Sequence, residues 1–291
     1  MKQLHTIAQC KQWIEAAKAS GQTIGFVPTM GYLHEGHLAL VNAAKQENDL
    51  VIMSIFVNPT QFGPGEDYEV YPRDENRDLA LAKEVGVDVV FTPTVDEMYP
   101  KETTIQIVPG AQKNVLCGKS RPTHFDGVLQ VILKLFNIVT PTTAYFGMKD
   151  AQQLAIIETF MEAFNFSTTI RRVPTIREED GLAKSSRNVH LTEIERLEAP
   201  AIYKALQSGQ ALFRKTKNTA QTIETVRQQI ETHTSGKIDY VELLAYPQLT
   251  PIDAHTTEVI IATAVHFAHT RLIDNIILQI EDEEHVSNDD E

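Results

Sequence analysis

Two histidines, His34 and His37, stand three residues apart on either side of a glycine in the run Phe26-Val27-Pro28-Thr29-Met30-Gly31-Tyr32-Leu33-His34-Glu35-Gly36-His37. The apolar start reads as a buried strand ending at Pro28, followed by a glycine-bearing turn and a helix that begins near His37. A spacing of three lets both imidazoles face the same side of the turn entering that helix. Gly36 lets a bulky ligand approach the backbone. Free N–H groups and the positive end of a helix dipole favour a phosphate there, and two imidazoles can donate hydrogen bonds as charge builds on its oxygens. The plain alternatives are a pair of surface histidines or half of a zinc site. In a chain of this composition His-x-Gly-His arises by chance roughly 0.02 times. The zinc reading lacks a nearby third ligand and leaves the glycine unexplained. Phosphate is the favoured reading.

Two further segments carry complementary chemistry. Lys184-Ser185-Ser186-Arg187-Asn188 offers two cations, hydroxyl donors and loop amides, a set suited to clamping a triphosphate. On its own it is a weak signal, since most basic surface loops merely solvate, and the histidine motif is what gives it meaning. Gly147-Met148-Lys149-Asp150 combines a residue that permits backbone contact, a lysine that can reach phosphate and an acid that suits ribose hydroxyls. Asp150 can equally be a helix cap. Gln153, one turn further on, points back toward the same edge.

These residues need a scaffold that brings them together. Over the first 170 residues, apolar β-branched runs (23–27, 50–57, 87–92, 143–146 and 168–173) alternate with amphipathic segments (37–46, 73–85, 127–139 and 150–164). That alternation predicts an α/β fold, a Rossmann-like doubly wound parallel sheet covered by helices on both faces. Such sheets bind ligands at the carboxyl ends of their strands. Beyond about residue 175 the rhythm changes to two helical stretches (193–207 and 219–233) and three strand-like runs (240–244, 259–265 and 272–278). The division expected is a catalytic domain over 1–175, a smaller C-terminal α+β lid domain over 176–280 and an acidic, disordered tail over 281–291.

Composition limits the partners. The net charge of −13 includes seven acids in the last eleven residues, leaving −6 on the rest. A mildly acidic body disfavours broad nucleic-acid or anionic-membrane binding, although locally convergent cations can still hold a small polyanion. Two cysteines, Cys10 and Cys117, are too few for a disulfide framework or a cysteine-based zinc site. The N-terminus has no apolar signal-peptide core, and the longest near-apolar stretch, 50–57, is too short to cross a bilayer. A cytoplasmic protein is expected.

Read together, the blocks 28–37, Phe56-Val57-Asn58-Pro59-Thr60-Gln61-Phe62, Tyr71-Pro72-Arg73, Arg121-Pro122-Thr123-His124-Phe125, 147–153 and 180–188 resemble the pantothenate synthetase family in order and spacing. The likeness covers nearly the whole chain outside the tail. The histidine motif alone would indicate only the wider nucleotidyltransferase superfamily.

The resemblance implies a two-step ligase. ATP and pantoate form pantoyl adenylate with loss of pyrophosphate, and β-alanine then displaces AMP to give pantothenate. It implies ATP as cosubstrate with Mg2+, pantoate and β-alanine as substrates, and a homodimer formed through the first domain. Carried over by position, Met30, Gly31, Tyr32, Leu33, His34, Glu35, Gly36 and His37 would line the ATP site. Gly147, Met148, Lys149, Asp150, Ile176, Lys184, Ser185, Ser186 and Arg187 would complete it. His37, His34, Lys149 and Arg187 would carry catalysis, Gln61 and Gln153 would hold pantoate, and Gln61 would border β-alanine. The family labels the histidine at His37 a proton donor; donation to the α-phosphate and leaving oxygen fits better, since a carboxylate needs no base. Asn58, Tyr71, Arg121 and His124 match less specifically. Asp78 is either a magnesium helper or a solvated acid on its helix. Thr60, where the family often has a larger apolar residue, is expected to loosen the pantoate pocket. Lys184, at an often apolar position, is expected to add charge facing the phosphates.

Overall fold

The computed structural model describes residues 1–280; the acidic tail, 281–291, lies outside the described residues. Six parallel strands form one sheet: β1 (Lys2–Leu4), β2 (Ile24–Thr29), β3 (Leu50–Ile55), β4 (Val89–Phe91), β5 (Thr143–Gly147) and β6 (Thr169–Val173), in the order β1-β4-β3-β2-β5-β6. The crossovers include α1 (Ile7–Ala19), α2 (Glu35–Glu47), α3 (Glu75–Glu84), the short α4 (Val95–Met98) and α5 (Cys117–Ser120), α6 (His124–Val139) and α7 (Ala151–Ala163). The doubly wound expectation holds for a physical reason. The central strands are buried on both faces, with Phe26, Val27, Ile52 and Met53 sealed from water, as a sheet covered on both sides requires. From β2 the chain moves outward through β3 to β4, then returns to place β5 on the other flank of β2. The loops leaving β2 and β5 therefore open at the switch point of the sheet, where such folds leave a crevice.

β1, α1 and the one-turn helices α4 and α5 escape detection by periodicity. β1 is a three-residue edge strand paired only with β4, too short to show alternation. α1 opens with a reciprocal cap between Thr6 and Gln9, a Thr-x-x-Gln signature that the sequence does contain. The expected helix 193–207 is two helices, α8 (Glu193–Glu198) and α9 (Pro200–Thr216). Pro200 has no N–H to donate into the preceding turn, so it ends one helix and opens the next.

The rest of the chain adds α10 (Thr219–His233) and an antiparallel sheet of β7 (Lys237–Ala245), β8 (Glu258–His266) and β9 (Arg271–Gln279). Both faces of this small sheet are covered. Val241, Leu243, Ile261 and Val265 pack with Leu206, Phe213, Val226 and Ile230 of α9 and α10. The alternate residues Tyr240, Ile260, Ala262 and Ala264 join the core built by α6 and α7. Period-two alternation on β8 thus sends one face to each neighbour, and the second sheet is seated directly against the first unit.

Candidate active site

The turn after β2 is built around one carboxylate. Gly31 has φ +85° and Tyr32 φ +47°, which turns two successive amides the same way. Asp78 of α3 accepts both following N–H groups, Oδ2 from Tyr32 and Oδ1 from Leu33, each at 2.7 Å. A Cβ on Gly31 would meet Asp78 Oδ2 and Ile55 at 2.9 Å, so glycine is required there twice over. Asp78 is 1% exposed, and burial raises its carboxyl above the ordinary range. It is neither solvated nor set up for magnesium, because both of its oxygens anchor the loop.

His34 caps α2. Its Nδ1 accepts the Gly36 N–H at 3.1 Å, and His37 Nδ1 accepts the His34 N–H at 3.2 Å. The amides of His37 and Leu38 both bind the His34 carbonyl. The expectation of free helix amides for a phosphate is therefore narrowed, since the amides of Gly36, His37 and Leu38 are all taken by His34. Gly36 likewise serves the protein first: a Cβ there would lie 2.8 Å from the His34 ring. The caps also fix the tautomers. A neutral ring whose Nδ1 accepts must carry its proton on Nε2.

Both rings are held neutral. Burial, with help from Lys149, pushes His34 down to about 4. Burial, then His34 and Lys149, holds His37 well below its ordinary range. The ring centroids are 4.1 Å apart, so a second positive charge would be costly. The pair is a double N–H donor that carries no charge.

The rings line a cavity of about 220 Å³. Met30, His34, Gly36, His37, Gly147, Lys149 and Asp150 from the β2 and β5 ends line it, together with Ile176, Lys184, Ser185, Ser186 and Arg187 from the later loop. Gln61 and Gln153 complete the set. Five expected residues do not line it. Gly31, Tyr32 and Leu33 form the anchored turn, Glu35 sits on the outer side of the first turn of α2, and Met148 turns its carbonyl to Asn275. An apolar wall that charge-based reading could not find comes from Phe56, Val128, Val131, Ile132 and Leu135. Phe56 opens the 56–62 block, but for the other four apolar spacing along α6 is the only signal, and it reads simply as core.

Gln61 is oriented by a polar relay. Tyr99 donates to Asn58 Oδ1 at 2.8 Å, Asn58 Nδ2 donates to Gln61 Oε1 at 3.1 Å, and Gln61 Nε2 lies 3.3 Å from Met30 Sδ. Thr60 does not line the cavity; its hydroxyl donates to Asn58 Oδ1 at 3.0 Å, so it braces the relay from behind. Asn58 and Tyr71 line this cavity. Arg121 and His124 line an adjoining cleft of about 690 Å³, which shares Lys149, Asp150, Gln153, Ser185 and Arg187 with the first. His124 Nδ1 donates to the Gln61 carbonyl at 2.8 Å, and burial followed by Arg121 pushes it down to about 4. Arg121 pairs with Glu66.

The cations are paired with protein acids. Lys184 Nζ lies 2.8 Å from Glu178 and 3.2 Å from Glu35, and Arg187 is 2.8 Å from Asp67. Lys149 is within 3.9 Å of Asp150. Lys184 thus joins the late loop to α2 before any ligand is considered. Among the described residues no group of three or more His, Cys, Asp or Glu side chains is placed to hold a metal, and no helix is long and apolar enough to cross a membrane.

A doubly wound sheet with neutral imidazole donors and three cations at its switch point defines an α/β enzyme of the kind that handles nucleotide phosphates. The sequence profile of the Pantoate-beta-alanine ligase family matches residues 2–277, and the chain belongs to that family. It is 57% identical to the pantothenate synthetase of Lysinibacillus sphaericus strain C3-41 over 97% of this chain and 99% of that protein. The pantothenate synthetase of Thermus thermophilus superposes with a TM-score of 0.89 at 41% identity, covering 95% of this chain and 99% of that one. The pantoate-beta-alanine ligase of Francisella tularensis, solved in complex with beta-gamma ATP and beta-alanine, gives a TM-score of 0.79 at 36% identity over 95% and 97% of the two chains.

Proposed function

We propose that this chain joins pantoate to β-alanine at the expense of ATP, through a pantoyl adenylate, releasing pyrophosphate, AMP and pantothenate. The observation that carries the reading is the capped histidine pair, two neutral imidazoles with protons on Nε2, lining one cavity with Lys149, Lys184 and Arg187. A carboxylate attacking the α-phosphorus needs no base. It needs the charge on the phosphoryl oxygens and departing pyrophosphate to be stabilised, and preorganised donors do this without reorganising. Adenylation also replaces a hopeless oxide leaving group with AMP.

The apolar wall of Phe56, Val131, Ile132 and Leu135 suits the two methyl groups of pantoate, and Gln61 and Gln153 offer neutral amides to its hydroxyls and carboxylate. Neutral partners orient the carboxylate without quenching its nucleophilicity. β-Alanine then reaches the acyl carbon from the side of Gln61. Mg2+ would arrive on the triphosphate oxygens with its waters, and Asp150 is the cavity carboxylate that could join it. Met30, Gly147, Ile176, Ser185 and Ser186 would shape the nucleotide's surroundings, with Gly31, Tyr32, Leu33 and Met148 holding those residues in place and Glu35 pairing Lys184 until ATP arrives.

Residues 176–280 would act as a lid on the catalytic unit over 1–175, since their loop supplies two of the three cations. Ile105 and Val108, 76% and 55% exposed on the first unit, suit burial in a homodimer. A cytoplasmic setting fits two free, buried thiols.

The test is a product assay with ATP, pantoate and β-alanine, each omitted in turn. Pyrophosphate should appear without β-alanine, and AMP with pantothenate only when all three are present. ADP as the nucleotide product, or a nucleotide left on the final product, would reject the reading.

A further inference from the structure

Two adjacent residues of β9, Asp274 and Asn275, bond the base of the hairpin that leads into Lys184–Arg187 and the turn that carries Lys149, one on each side of the strand. Neighbouring strand residues face opposite ways, so a single stretch of backbone can set the distance between two partners. Asp274 takes a bidentate pair from Arg177, at 2.7 and 2.9 Å. Arg177 also stacks on Tyr203 at 3.5 Å and donates to the Gly181 carbonyl. It stands at the base of a small hairpin closed by its bridge to Ala183, by the Glu178–Leu182 bond and by the Lys184 N–H on Ile176. The residues leaving that hairpin are Lys184, Ser185, Ser186 and Arg187. Asn275 Nδ2 donates to the carbonyls of Met148 and Lys149, at 3.0 and 2.9 Å, and so holds the turn that displays Lys149.

We propose that Asp274 and Asn275 are positioning residues for adenylation: β9 fixes the spacing between Lys149 and the Lys184–Arg187 segment, acting through Arg177 on one side and the Met148–Lys149 carbonyls on the other. Both side chains are buried, at 5% and 8% exposure, and a buried polar group is costly unless fully bonded. Here the bonds go to the Met148–Lys149 turn and to Arg177, at the base of the hairpin from which Lys184–Arg187 leaves. The inference rests on the reading of Lys149 and Arg187 as triphosphate contacts.

Small displacements of positioned groups cost up to about 100-fold in rate, so losses of that order are expected in pyrophosphate release with ATP and pantoate. The loss in Asn275→Ala and Asp274→Asn should fall on kcat and on KM for ATP, with KM for pantoate little changed, measured well below the melting temperature, which itself falls because buried partners are left unpaired. A merely structural role would disturb both substrates alike. The decisive comparison is the double variant. If Asn275 acts through Lys149, adding Asn275→Ala to Lys149→Ala should cost almost nothing more; Asp274→Asn on Arg187→Ala should behave likewise. Should Asp274→Asn fail to fold, Arg177→Lys, which removes the fork from the other end of the clamp, must show the same ATP-selective loss. Multiplying losses in both double variants would overturn the proposal while leaving the site intact. Normal ATP handling in Lys149→Ala and Arg187→Ala would bring down the site reading, and this inference with it.

Discussion

His37 Nδ1 accepts the backbone N–H of His34 at 3.2 Å, so one side chain closes the start of α2 and keeps its own proton on the opposite nitrogen. This predicts an order among substitutions. His37→Ala removes the donor and should cost on the order of 10²- to 10³-fold in kcat for pyrophosphate release. Glutamine at this helix position can reach back to the cap residue's N–H and still offer an amide donor. His37→Gln should therefore retain more activity than His37→Ala or His37→Leu. A folded His37→Ala variant within a few-fold of the parent rate would rule out the donor role.

The pH behaviour follows from the same burial. His34 and His124 are held at about 4 and His37 below its ordinary range, whereas unfolded histidines titrate near about 6.5. Between these values the unfolded chain binds protons that the native protein refuses. Their contribution to stability is complete above about 6.5 and is lost progressively as pH falls toward about 4. Thermal melts should show a falling midpoint from pH 7.5 to pH 5, with a shallower slope in His124→Asn. Pyrophosphate release should show no inflection near pH 6.5 that His37→Gln abolishes; finding one would mean that His37 works as a titrating acid.

Sequence reading reaches the chemistry where one contiguous run holds both the reacting groups and their local geometry. His34, Gly36 and His37 form such a run, and the alternation of strands and helices brings it beside Gly147 and Lys149 at the switch point. It fails where the meaning of a residue lies in a distant partner. Asp78 sits on an amphipathic helix like any solvated acid, and only folding brings it to Tyr32 and Leu33. Of the amides expected free at the start of α2, that of Gly36 is lost to the His34 ring and those of His37 and Leu38 to its carbonyl, since a residue that caps its own helix competes with any ligand for those groups. Lys184 does line the cavity, but its partners Glu35 and Glu178 come from different segments and leave no joint signature.

Those partners make a prediction about nucleotide affinity. Lys184 must exchange Glu35 for phosphate if it is to meet ATP, and Glu35 is 62% exposed at its side chain, so the pair is weak, about 0–1 kcal/mol. Glu35→Gln should lower KM for ATP by no more than about fivefold, the upper end of that range. The gain should shrink at high salt, where exposed charges are screened. Steady-state kinetics at low and high ionic strength measure both effects. A raised KM in Glu35→Gln would mean that Glu35 aids ATP binding and does not compete with it.

Gly127, on α6, lies against the backbone that carries Gln61. A Cβ there would run into the Thr60 carbonyl and the Gln61 nitrogen, and the Gly127 carbonyl also accepts from Asn58. Gly127→Ala must therefore push the 59–61 turn away from α6 and break the relay from Tyr99 through Asn58 to Gln61. Overpacking of this kind costs about 1–3 kcal/mol of stability, which a denaturant melt would read. The kinetic signature should be specific, with KM for pantoate rising while KM for ATP stays near the parent value, because the histidine and lysine segments lie on other elements. Asn58→Asp should reproduce the pantoate effect without the steric cost, since a carboxylate can still accept from Tyr99 but cannot donate to Gln61. Equal increases in both KM values in the two variants would place Gln61 outside the pantoate contacts and leave Gln153 as the remaining candidate.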